Sequence, residues 1–125
     1  MHQNGISYLI WKAAFTIHTT LGPGLLESVY ETLLKHELVR AGLSVERQVG
    51  LPVLYDGLRL ENGFRMDIVV KKSVVVELKS VETLLEVHHK QLLTYLKLSG
   101  HKLGLLINFN VPAIKEGIFR KVNGL

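Results

Sequence analysis

Apolar side chains at Ile10, Ala14, Ile17 and Leu21 recur at a helical spacing, which predicts a first helix over Ser7–Leu21. Gly22-Pro23-Gly24 then punctuates the chain. A second helix is expected from about Pro23 to Arg40, with Leu26, Val29, Tyr30, Leu33 and Leu38 on its apolar side and Gly42 as its stop. The period changes from there. Val45, Val49, Leu51 and Val53 fall at mostly even spacing, so Ser44–Tyr55 reads as extended. Asp56-Gly57 signals a turn, Leu58–Glu61 a short return strand, and Asn62-Gly63 a second turn. Phe64–Val70 and Val74–Ser80 are rich in β-branched residues and predict two further strands. A third helix over Glu86–Leu98 closes at Gly100, and Lys102–Phe109 is apolar enough for a strand covered on both faces. Pro112–Glu116 reads as a loop or helical turn and Gly117–Val122 as a last strand. The expected order is α-α-β-β-β-β-α-β with the Gly117–Val122 strand after it, and there is no repeat, linker or low-complexity tract: one α/β domain over residues 1–125.

The two β-branched strands carry the chemistry. Side chains alternate along a strand, so Phe64, Met66, Ile68 and Val70 are expected on one face and Arg65 and Asp67 on the other. Likewise Val74, Val76 and Leu78 oppose Glu77 and Lys79. If the strands form a hairpin, both apolar faces must lie on one side. A loop of Lys71-Lys72-Ser73 then pairs Val70 with Val74, Asp67 with Glu77 and Arg65 with Lys79. Facing Cβ atoms sit roughly 5 Å apart, so two bare carboxylates there repel unless a cation lies between them. Hard oxygen ligands suit Mg²⁺ or Mn²⁺. Lys79 on the same face could orient water or stabilise charge on a phosphate. The competing explanation is a surface salt-bridge cluster of Asp67, Glu77, Arg65 and Lys79. Charge in a buried central strand is costly without a purpose, which favours a site.

Composition narrows the classes. With 125 residues and 47% apolar side chains, the chain has material for one real core. No stretch approaches a membrane span, and the N-terminus does not read as a signal peptide. The absence of cysteine excludes disulfides, zinc–thiolate sites and iron–sulfur clusters and agrees with a cytoplasmic protein. A net charge of +4 permits a polyanionic partner.

Asp67 followed by Glu77-Leu78-Lys79, with a preceding helical Glu27 and a following helical Gln91, resembles the PD-(D/E)XK nuclease superfamily. More narrowly, Gly24-Leu25-Leu26-Glu27-Ser28-Val29-Tyr30 looks like the motif of the prokaryotic GxxExxY family within it. Glu46-Arg47-Gln48-Val49, Phe64-Arg65-Met66-Asp67, Gln91–Leu96 and Gly104–Asn110 look similar to the same family, so the resemblance spans about Ile17 to Gly124. It implies a restriction-endonuclease-like fold with a central mixed sheet flanked by helices. It also implies metal-binding roles for Asp67, Glu77 and Glu27, a catalytic role for Lys79, and a supporting one for Gln91. His89-Lys90 stand where an acidic and a small residue are expected, and Met66 replaces the proline that often precedes the aspartate.

The resulting expectation is Mg²⁺- or Mn²⁺-dependent hydrolysis of phosphodiester bonds in DNA or RNA. The alternative is a non-catalytic module with the same fold that grips nucleic acid or regulates a partner protein. A homodimer would supply the two sites that a duplex cut needs, although no interface motif marks one. Each candidate also has a plainer role. Glu27 suits any helix N-terminus by its charge, Tyr30 suits a core, and Gln91 with His88 and Tyr95 could be boundary residues of one helix face. None of the six histidines is assigned to metal.

Overall fold

The computed structural model describes residues 1–125. Helix α1 runs Gln3–Leu21, beginning earlier than the apolar spacing indicates because His2 Nδ1 accepts the Asn4 N–H and caps it. Helix α2 is Glu27–Arg40 and does not start at Pro23. Gly22 (φ 72°) and Gly24 (φ 98°) adopt left-handed backbone that no helix accommodates, so Gly22–Leu26 is a loop. Leu26 and Val29 are therefore exposed, and Tyr30, Leu34 and Leu38 form the buried stripe.

Strand β1 (Val45–Tyr55) turns at Asp56-Gly57 into β2 (Leu58–Val70), which is one long strand rather than two. Asn62-Gly63 is not a turn. A side chain at Gly63 would run into Val53 on β1, and one at Gly50 into Asn62, so the glycines serve close strand contact. The β1–β2 register slips between Leu51 and Val53, a bulge beside these contacts. Strand β3 (Val74–Lys79) pairs antiparallel with β2, with Val70 opposite Val74 as the three-residue loop requires. Helix α3 (Glu86–Ser99) ends at left-handed Gly100 and crosses to β4 (Leu103–Asn108), parallel to β3. A short 3₁₀ turn, Ile114–Glu116, precedes β5 (Ile118–Val122), antiparallel to β4.

The product is a mixed five-stranded sheet in the order β1-β2-β3-β4-β5, flanked by three helices. One core lies between the sheet and α1 and α2, and includes Ile10, Tyr30, Leu34, Ile68, Val76, Leu78, Ile107 and Phe109. The other lies under α3 and joins Met66, Val69, Val75, Leu92, Leu96 and Leu106. Central β3 and β4 are covered on both faces, which explains their nearly continuous apolar sequence. No helix is long and apolar enough to cross a membrane.

Candidate active site

The site begins with a break in strand alternation. On β1, Gln48 takes a left-handed φ of 51°, and the β1–β2 ladder passes from Arg47–Ile68 to Val49–Met66 without a Gln48–Asp67 rung. Both strands change face there. Val45 and Ile68 pack with α1 and α2, whereas Val49 and Met66 pack with α3. Met66 and Ile68 therefore do not share a face, contrary to simple alternation, because the kink rotates the ribbon between them. Asp67, at the pivot, lines a hollow of about 140 Å³ with Glu27, Ser28, Glu31, Gln48 and Leu78.

The β2–β3 ladder likewise stops after Ile68–Val76. Neither Asp67 and Glu77 nor Arg65 and Lys79 face each other as ladder pairs, because the strands part before reaching them. Carboxylates replace the missing backbone rungs. Glu77 Oε1 accepts the Asp67 N–H at 3.2 Å, and Asp67 Oδ2 accepts the Leu78 N–H at 2.9 Å. These two strand N–H groups thus have partners, and the two acids are drawn to one point.

Glu77 is only 6% exposed. Burial, then the Asp67 charge and a side-chain hydrogen bond with Asp67, push its carboxyl up to about 10, against smaller opposing pulls from the Asp67 N–H and then Lys79. Metal-free Glu77 is therefore protonated at neutral pH. The Tyr95 hydroxyl on α3 is pushed up to about 12 by burial first and then by Glu77 and Asp67, which places it in the field of the pair.

Lys79 is half-buried at the end of β3, beside Asn108 on β4. The His88 ring on the first turn of α3 is pulled below its ordinary value by partial desolvation, then by Lys79 and His89, while Glu27 pulls it the other way. Both charges thus act on the start of α3. Gln91 lies half-buried between His88 and Tyr95 on α3, without a hydrogen bond to Lys79 or to either carboxyl group.

Glu27 is the first residue of α2, and the preceding loop is held by tertiary contacts. The Tyr30 hydroxyl donates to Gly22 O at 2.7 Å and accepts the Leu25 N–H at 3.2 Å, while its ring stacks on Phe109 with centroids 4.2 Å apart. The Ser80 hydroxyl donates to Leu25 O at 2.6 Å, tying the loop to the strand that bears Glu77 and Lys79. Tyr30 is thus a core tyrosine whose polar end anchors the loop in front of Glu27.

Three residues escaped the sequence reading. Buried Glu31 accepts hydrogen bonds from Arg47 Nη2 and Gln48 Nε2, each at 2.8 Å, and so holds the β1 kink against α2. Its only advance signal was its place four residues after Glu27, on the same helix face. Buried Asn108 accepts the Val81 and Asn110 N–H groups and donates to Val81 O, fixing the chain after β3; no spacing marked it. Ser80 followed the Glu-Leu-Lys run but lacked a pattern of its own.

No three acidic or histidine side chains stand close enough together to share one ion. Asp67 and Glu77 are brought together, and Glu27 shares the Asp67 hollow without joining the pair. The donor chemistry fits a divalent cation: the carboxylate oxygens are hard, and a dication would offset the burial and the Asp67 charge that now keep Glu77 protonated. A family model described as the PD-(D/E)XK nuclease superfamily matches residues 4–121. The chain belongs to this superfamily. PD-(D/E)XK nucleases generally use divalent metals and act on nucleic acid, and the mixed sheet flanked by helices is consistent with the PD-(D/E)XK fold. No curated protein and no solved structure matches the chain significantly.

Proposed function

We propose that this PD-(D/E)XK protein is a divalent-metal-dependent nuclease of the GxxExxY type that hydrolyses phosphodiester bonds of DNA or RNA. The observation that carries the reading is the convergence of the Asp67 and Glu77 carboxyl groups where the β2–β3 ladder ends, with Glu77 accepting the Asp67 N–H and Asp67 accepting the Leu78 N–H. A fold seeking stability alone would gain from an uncharged residue at position 77. The Gly24–Tyr30 segment adds support: its tyrosine holds the loop that presents its glutamate.

Asp67 and Glu77 would hold Mg²⁺ or Mn²⁺, with Glu27 acting on the ion from across the Asp67 hollow rather than in direct contact. The cation, when bound, supplies positive charge that polarises the phosphate and favours ionisation of water. Lys79 orients the water or offsets charge growing on the phosphate. Gln91 supports that end of the site from α3, and Glu31 keeps the kink at Gln48 in place.

The test is cleavage of DNA and RNA oligonucleotides with Mn²⁺ by the wild type, Asp67→Ala and Lys79→Ala. Lys79 makes no ion pair within 4 Å, so Lys79→Ala should unfold like the wild type while losing roughly 10²- to 10³-fold in rate. An active Asp67→Ala protein would contradict the assignment. Calorimetric Mn²⁺ titration of the wild type and Glu77→Gln separates the non-catalytic module, which would bind no metal in either form.

A further inference from the structure

Helix α1 buries Ile6, Ile10, Ala13, Ala14 and Ile17, so its packing is complete without Trp11 and Phe15. Those rings stack on each other instead, with centroids 5.4 Å apart and planes within 10°, and stay 38% and 47% exposed. Together with Pro23, Pro112, His18 and Lys115 they line an open groove of about 530 Å³. Lys115 is the one charged side chain there apart from the titratable His18, whose Nε2 lies 2.8 Å from Val111 O, and no acid is present.

The groove is joined to the candidate active site by one loop, Gly22–Leu26, running into Glu27. Gly22 and Pro23 line the groove, Gly24–Ser28 line the next hollow with Ser80 and Asn110, and Glu27 and Ser28 line the hollow of Asp67. Glu27 lies four residues after Pro23, a reach of at most about 14 Å. A strand lying along this loop would pass from the acids to the aromatic rings within a few nucleotides.

We propose that the groove is a subsite that stacks an unpaired base of the strand being cut, so that the substrate is single-stranded nucleic acid or a single-stranded end. The proposal rests on the nuclease reading above. Exposed flat rings bind any base by its face, and a base paired within a duplex cannot offer that face. The lysine at the groove suits the adjoining phosphate. The net charge of +4 attracts a polyanion and repels a second copy of the chain.

Trp11 is the only tryptophan, so its emission reports on the groove directly. The metal-free protein is titrated in chelator with short oligothymidylate, with an abasic oligomer of equal length, and with a duplex. Oligothymidylate should quench Trp11 and bind about tenfold more tightly than either control. Phe15→Ala should lose about tenfold in that affinity while binding Mn²⁺ as the wild type does. Equal affinity for the abasic oligomer, or saturable oligothymidylate binding without a change in emission, would overturn the subsite. So would a dimer in sedimentation that shields Trp11 and ignores oligonucleotide. Quenching without cleavage after Mn²⁺ is added would keep the subsite and remove the nuclease, whereas cleavage indifferent to bases would do the reverse.

Discussion

Replacing Glu77 by glutamine should stabilise the metal-free protein while removing its metal affinity. Glu77 has an ordinary value of 4.5 and sits at about 10 in the fold. Between those values the folded chain holds a proton that the unfolded chain has released. Stability is therefore fullest below about pH 4.5 and falls as pH rises towards 10, at about 1.4 kcal/mol per unit. At pH 7 the loss relative to acid is roughly 3 kcal/mol for this group. Glutamine keeps an oxygen for the Asp67 N–H and offers an N–H to the Asp67 carboxylate where protonated Glu77 offers its O–H, without a proton to lose. Glu77→Gln should thus be more stable than the wild type at pH 7, by up to roughly 3 kcal/mol or about 10 °C in Tm, and by less at pH 5. Thermal and urea unfolding in chelator at pH 5, 7 and 8.5 read this directly. Parallel pH profiles for the two proteins, or a less stable variant at pH 7, would refute the reasoning. Saturating Mn²⁺ should narrow or reverse the difference, because only the wild type gains binding energy.

Other consequences are measurable separately. Since Glu77 must lose its proton to meet a cation, Mn²⁺ affinity should rise with pH by up to about tenfold per unit between pH 6 and 9, and calorimetry should show proton release; a flat profile would place the ion elsewhere. Tyr30→Phe deletes the hydroxyl that holds Gly22 and Leu25, and urea unfolding should show a cost of about 1–3 kcal/mol, with cleavage reduced further than Mn²⁺ binding as the Glu27 loop loosens. Gly63→Ala should destabilise by about 1–3 kcal/mol through its clash with Val53, and an unchanged Tm in thermal melts would contradict the close strand contact.

The chain's own pattern was enough to reveal the alternation of helices and strands and the pairing of Val70 with Val74, since these follow from short-range periodicity and a tight hairpin; Asp67 and Glu77 do meet, but through carboxylate-to-backbone bonds beyond the end of the ladder rather than as the facing rung that alternation predicts. Its ordered motifs pointed to the PD-(D/E)XK superfamily, which the family match establishes. Other features depend on groups distant in sequence. Gly63 resembles a turn residue until Val53 is seen against it, and Pro23 resembles a helix start until Gly22 and Gly24 take left-handed backbone. The face change at Gln48 and Asp67 escapes any period-2 reading, because it is held by Glu31 reaching from α2 and by carboxylates standing in for backbone rungs. Exposed Trp11 and Phe15 acquire a setting only when Pro23 and Pro112 close around them. Local side-chain order is written in the sequence, whereas the protonation of Glu77, the kink beside Asp67 and the groove beside Pro23 arise from burial and close approach, which exist only once the sheet and its helices are packed.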